Sequence, residues 1–161
     1  SFYESTKQSL WRYVAGILRD DALAKDILQD AYTRFLQSGD EVREPAQMKS
    51  YLFQIATNLM RDHWRKLKNQ RNWFDEETAS AQSSTDGSRM ELRHDFRRAF
   101  EFLSPQQRSL VWLAYAEGYA HKEIAAMLNV REKSVKVLLF RAKQRLLEIC
   151  SQLGISMENS L

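Results

Sequence analysis

Apolar residues recur at intervals of three and four along most of the chain, the spacing that places them on one face of an α-helix. Three such stretches fill the first 70 residues, and the third is the longest. Asp20 and Asp21 suit the end of the first helix and the N-cap of the second. The apolar face of the second runs to Leu36, Gly39 marks its end, and Pro45 marks the entry to the third. The pattern predicts a domain of three to four helices.

A second group of apolar repeats begins after residue 90 and predicts four more helices. Ser104 and Pro105 suit the N-cap and first turn of one helix. That helix is expected to end near Gly118, and Asn129 ends the short helix that follows. The last helix is predicted from about residue 132 to residue 148. The sequence therefore predicts an all-α protein of two small helical domains.

The segment between the two groups has the composition of a linker. Between residues 72 and 89, four acidic residues stand against one base, among several serines and threonines. We therefore divide the chain into a domain at 1–70, a flexible acidic linker at 71–90, a domain at 91–150 and a tail at 151–161.

Composition excludes several classes of protein. Five glycines and two prolines in 161 residues are few for a protein of many short strands and turns. No apolar run is long enough to span a membrane and no signal peptide opens the chain, so we expect a cytoplasmic location without membrane insertion. Cys150 is the single cysteine, and its sequence distance from His63, His94 and His121 does not resemble a metal site.

Positive charge is concentrated just before the linker. The net charge of +3 is by itself a weak argument for nucleic-acid binding, but five cations lie between residues 61 and 71 against a single acid. These cations are Arg61, Arg65, Lys66, Lys68 and Arg71. They favour contact with a nucleic-acid backbone.

Residues 122–145 have the spacing of a helix-turn-helix. Ala125 is small where two helices cross, Asn129 tolerates the left-handed conformation of the turn, and Val135 packs the second helix on the first. The outer face of the second helix carries cations suited to phosphates and guanine edges, with apolar side chains suited to thymine methyls. That face comprises Lys133, Lys136, Val137, Phe140, Arg141, Lys143, Gln144 and Arg145. The alternative is a solvated face whose apolar members cover a neighbouring helix.

Several short runs of the chain resemble bacterial sigma factors. Those that resemble the C-terminal promoter-binding domain are LSPQQR at 103–108, Gly118, EIA at 123–125 with Leu128, and residues 135–142. Those that resemble the N-terminal domain are AKDILQDAY at 24–32, like its polymerase-docking helix, and SYLFQIATN at 50–58 with DHWRK at 62–66, like its promoter-melting region. The resemblance spans residues 1 to about 150 and is strongest to the small two-domain extracytoplasmic-function (ECF) sigma factors.

This resemblance implies a non-catalytic initiation factor that binds core RNA polymerase, directs it to promoter DNA, and is held inactive by an anti-sigma factor. It implies no cofactor, no metal and no small-molecule substrate. The polymerase-binding residues would be Asp26, Gln29 and Asp30. The minus-ten contacts would be Asn58, Arg61, Trp64, Arg65, Lys66 and Lys68. Of these, Asn58 would read a flipped base, and Trp64 fits core packing as well as base stacking.

For the minus-thirty-five element, the resemblance implies contacts on the last helix. They would be Lys133, Lys136, Val137, Phe140, Arg141 and Gln144. The family often starts this helix with Ser or Thr where this chain has Arg131, so Ser134 is considered as a later cap.

Three other classes of function are considered. An enzyme is disfavoured because the sequence has no glycine-rich phosphate loop, no metal-ligand cluster and no nucleophile elbow. A free-standing helix-turn-helix regulator that binds duplex DNA without polymerase is the main alternative. A sigma-like adaptor that no longer opens DNA is the third, and the basic run at 61–71 argues against it.

Overall fold

The computed structural model describes residues 1–38, 44–68 and 91–154, with only the backbone at 67–68 and 91–94. Within these ranges the chain is helical and has no strand, as the all-α prediction requires. The α-helices are α1 (Phe2–Leu18), α2 (Asp21–Gln37), α3 (Pro45–Lys68), α4 (Glu91–Glu101), α5 (Pro105–Val111), α6 (His121–Leu128) and α7 (Glu132–Gln152). Gly39, Arg71, the linker beyond it and the tail from residue 155 lie outside the described residues.

Helix ends follow the predicted local chemistry at most positions. The Asp20 side chain accepts a hydrogen bond from the backbone N–H of Leu23 at 3.1 Å and caps α2. Ser104 and Gln107 form a reciprocal capping box at the start of α5. Asn129 ends α6 in the left-handed conformation, with φ 55°.

The start of α7 differs from the expectation of a later cap. The helix begins at Glu132, directly after Arg131, whose side chain makes no capping hydrogen bond. Ser134 lies inside the first turn, where its backbone N–H donates to the Arg131 carbonyl at 2.9 Å. The proposal that Ser134 caps this helix is therefore wrong, because the backbone has already entered the helix two residues earlier.

The predicted single helix before Gly118 is divided in two. After α5, residues Trp112–Ala116 form a π-helical turn, closed by a bond from the Glu117 N–H to the Trp112 carbonyl at 3.1 Å. Gly118 then adopts φ 71°, a conformation that favours glycine.

Both helical groups contribute to one continuous core. Buried side chains from α1, α2 and α3 form a single cluster with those from α4 to α7. Across the interface between the groups, α1 packs on α5 and α3 packs on α6. This interface is called the seam, and at its centre lie Tyr13, Gly16 and Phe53 from the first group and Trp112 and Tyr119 from the second.

Candidate nucleic-acid interface

One face of α7 is polar, cationic and open. Its buried face is formed by Val135, Leu139, Ala142 and Leu146, which repeat at helical spacing and pack into the core. On the opposite face, all six side chains predicted for the minus-thirty-five element are exposed. They are Lys133, Lys136, Val137, Phe140, Arg141 and Gln144. The structure thus brings the predicted set together on a single surface.

Two large apolar side chains lie in the middle of this cationic face. Phe140 is 61% exposed and Val137 is 49% exposed. The alternative in which they cover a neighbouring helix is therefore not what the structure has. Both side chains are free to contact base edges and thymine methyls.

Cations at the edge of this face are engaged by neighbouring side chains. The Lys143 ammonium lies 5.3 Å from the centre of the Tyr115 ring. Arg145 pairs with Glu148 at 3.6 Å, one turn further along α7. Lys143 and Arg145 therefore each contact another side chain of the protein. Lys136 and Arg141, by contrast, form no ion pair within the described ranges.

The predicted minus-ten residues on α3 differ in their exposure to solvent. Asn58, Arg65 and Lys66 are exposed, and Trp64 is half-buried against the core. Arg61 is only 5% exposed, although the contact with a nucleic-acid backbone that the sequence predicts for it requires an exposed side chain. That prediction is corrected, because the neighbours of α3 cover more of its circumference than the stripe alone. The side chain of Lys68 lies outside the described residues.

Arg61 is buried with few polar contacts. Its Nη1 donates to the Asn58 side-chain oxygen at 3.4 Å, while its Nε has no hydrogen-bond partner among the described residues. Burial, and then the nearby charge of Arg65, lower the pKa of Arg61. The guanidinium thus lies in an environment that disfavours its charge, beside the side chain predicted to read a base.

The predicted polymerase-binding residues share the outer surface of α2. Asp26, Gln29 and Asp30 are all exposed, and Asp30 pairs with Arg34 at 3.2 Å. Leu36 is 79% exposed, so its assignment to the buried face of α2 is wrong. It lies two turns after Gln29 and therefore on the same side of the helix. Sequence reasoning missed this apolar side chain because its spacing matches the buried stripe.

The described residues contain neither a membrane-spanning helix nor a cluster of metal ligands. None of the described helices combines the length and hydropathy needed to cross a membrane. Across residues 1–38, 44–68 and 91–154, no three His, Cys, Asp or Glu side chains are grouped so as to hold a metal ion.

Comparison with known proteins identifies similar families. The family models for Sigma-70 region 2 and for Sigma-70, region 4 match residues 2–70 and 93–146. The ECF RNA polymerase sigma factor SigM of Bacillus subtilis is 27% identical over 150 residues, covering 89% of this chain and 90% of that protein. SigL of Mycobacterium tuberculosis H37Rv, also an ECF sigma factor, is 27% identical over 160 residues, covering 97% of this chain and 90% of its own.

A solved structure has the same fold. The sigma factor RpoE from Bartonella quintana, crystallised with the anti-sigma factor NepR, aligns with a TM-score of 0.64 and 22% identity. The alignment covers 92% of this chain and 94% of that one. At this identity the likeness concerns the arrangement of helices alone.

Proposed function

This chain belongs to the sigma-70 family, in its ECF group, and from that premise we propose which of its surfaces bind polymerase and promoter DNA. As a sigma factor it binds core RNA polymerase and directs promoter-specific initiation of transcription. We propose that it catalyses no reaction itself, that it acts in the cytoplasm, and that an anti-sigma factor restrains it.

The exposed face of α7 is the observation that carries the proposal. An α-helix fits the major groove, and the six exposed residues of this face lie along one side of α7. Arg141 binds a guanine edge at two points, and Val137 with Phe140 contacts thymine methyls. Lys133 and Lys136 bind phosphates, which fixes the position of the helix.

The outer surface of α3 binds the minus-ten element. The exposed amide of Asn58 offers both a donor and an acceptor to a base that has left the duplex. Arg65 and Lys66 follow the backbone and supply salt-dependent affinity. Trp64 packs against the core, which supports a structural role for it over base stacking.

The outer surface of α2 docks on core polymerase. Asp26, Gln29 and Asp30 form a polar surface, and the exposed Leu36 on the same side adds an apolar contact. An interface with an apolar centre and a polar rim is typical of specific protein association.

The free-standing regulator is disfavoured by the N-terminal half. The match to Sigma-70 region 2 over residues 2–70 covers the half that a duplex-binding regulator would not need. The region-four match alone is compatible with either function.

Run-off transcription tests the assignment. Core polymerase is incubated with this protein and a pool of promoter fragments from the source genome, with Arg141→Ala and Asn58→Ala as variants. Arg12→Ala and Gln8→Ala are the matched controls, because both positions are exposed on α1 away from the proposed surfaces. Transcripts that need the protein and are weakened by the first pair alone are expected. Duplex binding without any polymerase-dependent transcript would contradict the proposal and support the regulator.

A further inference from the structure

The side chain of Arg61 lies beside Asn58 on α3 but is not itself open to the surface. Asn58 is exposed and is the residue proposed to contact a base, whereas Arg61, one turn later, is buried. Arg65 and Lys66 are exposed and are placed to bind phosphates, and a buried guanidinium is not. The function assigned so far therefore leaves Arg61 without a role.

The hydrogen bond between these two side chains has only one possible direction. A guanidinium carries N–H donors and no acceptor, and it keeps its charge in proteins. The Asn58 atom that faces Arg61 Nη1 at 3.4 Å is therefore the amide oxygen, Oδ1. The NH2 group of Asn58 then lies on the other side of the amide. Arg61 thus decides which end of the Asn58 amide is available to a ligand.

Burial of the guanidinium makes the opposite orientation of the amide unfavourable. Arg61 Nε has no hydrogen-bond partner among the described residues, so the contact with Asn58 Oδ1 is what compensates the buried charge. Turning the amide over would place an NH2 group against a cation and leave that charge uncompensated. The orientation with Oδ1 towards Arg61 is therefore the stable one.

This orientation narrows what Asn58 can recognise. A free amide offers a donor and an acceptor, but an amide whose oxygen is engaged by Arg61 offers a base its two N–H groups. A cation at the oxygen also polarises the amide, which strengthens the N–H donors. Donors of this kind recognise acceptor atoms of a base, such as ring nitrogens and carbonyl oxygens, and not exocyclic amino groups.

We propose that Arg61 is a positioning residue for Asn58, which holds the amide oxygen so that Asn58 reads acceptor atoms of a promoter base through its NH2 group. The proposal rests on the sigma-factor function and on the base contact proposed for Asn58. Arg61 touches no DNA in this arrangement and acts through Asn58 alone. The role accounts for a buried cation at a position where an apolar side chain would carry no desolvation cost.

Three variants separate the parts of this arrangement. Arg61→Met removes every donor from the buried side chain and keeps an unbranched, apolar one in its place. Asn58→Asp keeps the shape of the side chain and an oxygen for Arg61, but replaces the NH2 donor by a second acceptor. Arg65→Met is the matched control for Arg61→Met, because it removes an exposed cation from the next turn of the same helix.

The measured quantity is the base preference of core polymerase carrying the full chain. A pool of promoters randomised at both elements is transcribed, and a barcode in each transcript reports which promoter it came from. The preference at a position is the ratio of transcripts from the favoured base to those from the disfavoured bases. A smaller folded fraction lowers all transcripts of one reaction alike and leaves this ratio unchanged. Asn58→Ala identifies the position that Asn58 reads.

Arg61→Met is expected to lower the ratio at that position about three- to tenfold, the effect of one hydrogen bond, and to leave the minus-thirty-five positions unchanged. Asn58→Asp is expected to lose the wild-type preference at the same position as completely as Asn58→Ala. Arg65→Met is expected to lower transcription from all promoters without changing the ratio, because a phosphate contact carries no base information.

The outcomes separate this proposal from the proposed function. Wild-type protein that supports no transcription would contradict the function itself, and wild-type preferences in Asn58→Ala would contradict the base contact. With both of these in place, an unchanged ratio in Arg61→Met would overturn the positioning role. Wild-type preference in Asn58→Asp would overturn it too, because the oxygen would then be the reading atom. This second variant changes an exposed side chain, so it decides the question even where Arg61→Met does not fold.

Discussion

The two helices proposed to read DNA differ in how far their contact residues are exposed. On α7 every proposed contact residue is exposed, and the buried stripe lies on the opposite face. On α3 the side chain of Arg61 is buried beside the exposed Asn58. All the proposed DNA contacts of α7 are therefore exposed to solvent, whereas one proposed cation of α3 is buried.

Position in the fold explains this difference. Helix α7 packs on α4, α5 and α6, which all belong to its own half of the chain. Helix α3 packs on α1 and α2 and also on α6 from the other half. A helix with neighbours from both halves has less of its circumference open to solvent, and α3 is the helix on which a proposed contact residue is buried.

Arg108→Met tests how firmly the second region is joined to the first, and it should have the largest effect. The change leaves the buried Leu103 and Ile17 carbonyls without their donor, so the free energy of unfolding is expected to fall by about 2–4 kcal/mol. Chemical denaturation measures it, with Arg12→Met as the exposed control. A loss under about 0.5 kcal/mol would show that Arg108 does not hold the two regions together.

Arg141→Ala tests the complete reading face of α7. Loss of a bidentate guanine contact is expected to weaken binding to a matching promoter by about 1–3 kcal/mol and to relax the base preference at one position. Lys66→Ala on α3 should instead weaken binding to all promoters alike. It should also reduce the salt dependence of binding by the amount expected for about one phosphate contact. Salt-dependent binding of the polymerase complex measures both, and equal base preference in wild type and Arg141→Ala would contradict the guanine contact.

The ionisation of Tyr13 tests the N-terminal helical group at the seam, because it makes the stability of the protein depend on pH. The Thr57 hydroxyl donates to the Phe53 carbonyl at 2.7 Å, so the Tyr13 hydroxyl, 2.7 Å from Thr57 Oγ1, is the donor between them. Burial raises the pKa of Tyr13 to about 12, from 10.0.

Because the folded state holds this proton more tightly, stability is fully present below about pH 10 and declines as pH rises towards 12. The expected loss is about 1.4 kcal/mol per pH unit in that window. Unfolding measured from pH 8 to 11.5 checks this, with Tyr13→Phe as the reference for other titrating groups. Parallel curves for the two proteins would contradict the assigned cause.

Much of the local structure could be predicted from the sequence because it depends on neighbours along the chain. The capping role of Ser104, the left-handed Asn129 and the exposed face of α7 all follow from residue type and a spacing of three or four. Charge and apolar side chains could be assigned to the outer face of α7 for the same reason.

The seam could not be predicted because its contacts join distant parts of the chain. Arg108 lies 91 residues from Ile17, and nothing in the spacing around either residue indicates the other. The periodicity of α3 separates its apolar stripe from its polar side but does not tell which helices cover that polar side, so Arg61 was misplaced. Leu36 was misplaced in the opposite direction, since its spacing fits the buried stripe of α2 although its own side chain is 79% exposed.

Arg61→Met tests whether the two buried arginines, Arg61 and Arg108, differ in how much they stabilise the fold. Of the substitutions considered, it should have the smallest effect on stability. Both guanidinium groups are buried, but Arg61 makes one long hydrogen bond where Arg108 donates to two carbonyls at 2.7 Å. Removing a weakly compensated buried charge costs little, because the desolvation penalty is removed with it. The free energy of unfolding is therefore expected to change by less than about 0.5 kcal/mol. Run-off transcription is expected to fall because the side chain of Asn58 loses its hydrogen bond from Arg61. Denaturation and transcription are measured on the same preparations, with Arg12→Met as the control. A stability loss above about 2 kcal/mol with normal transcription per folded molecule would assign Arg61 to the core and remove it from the DNA-binding surface.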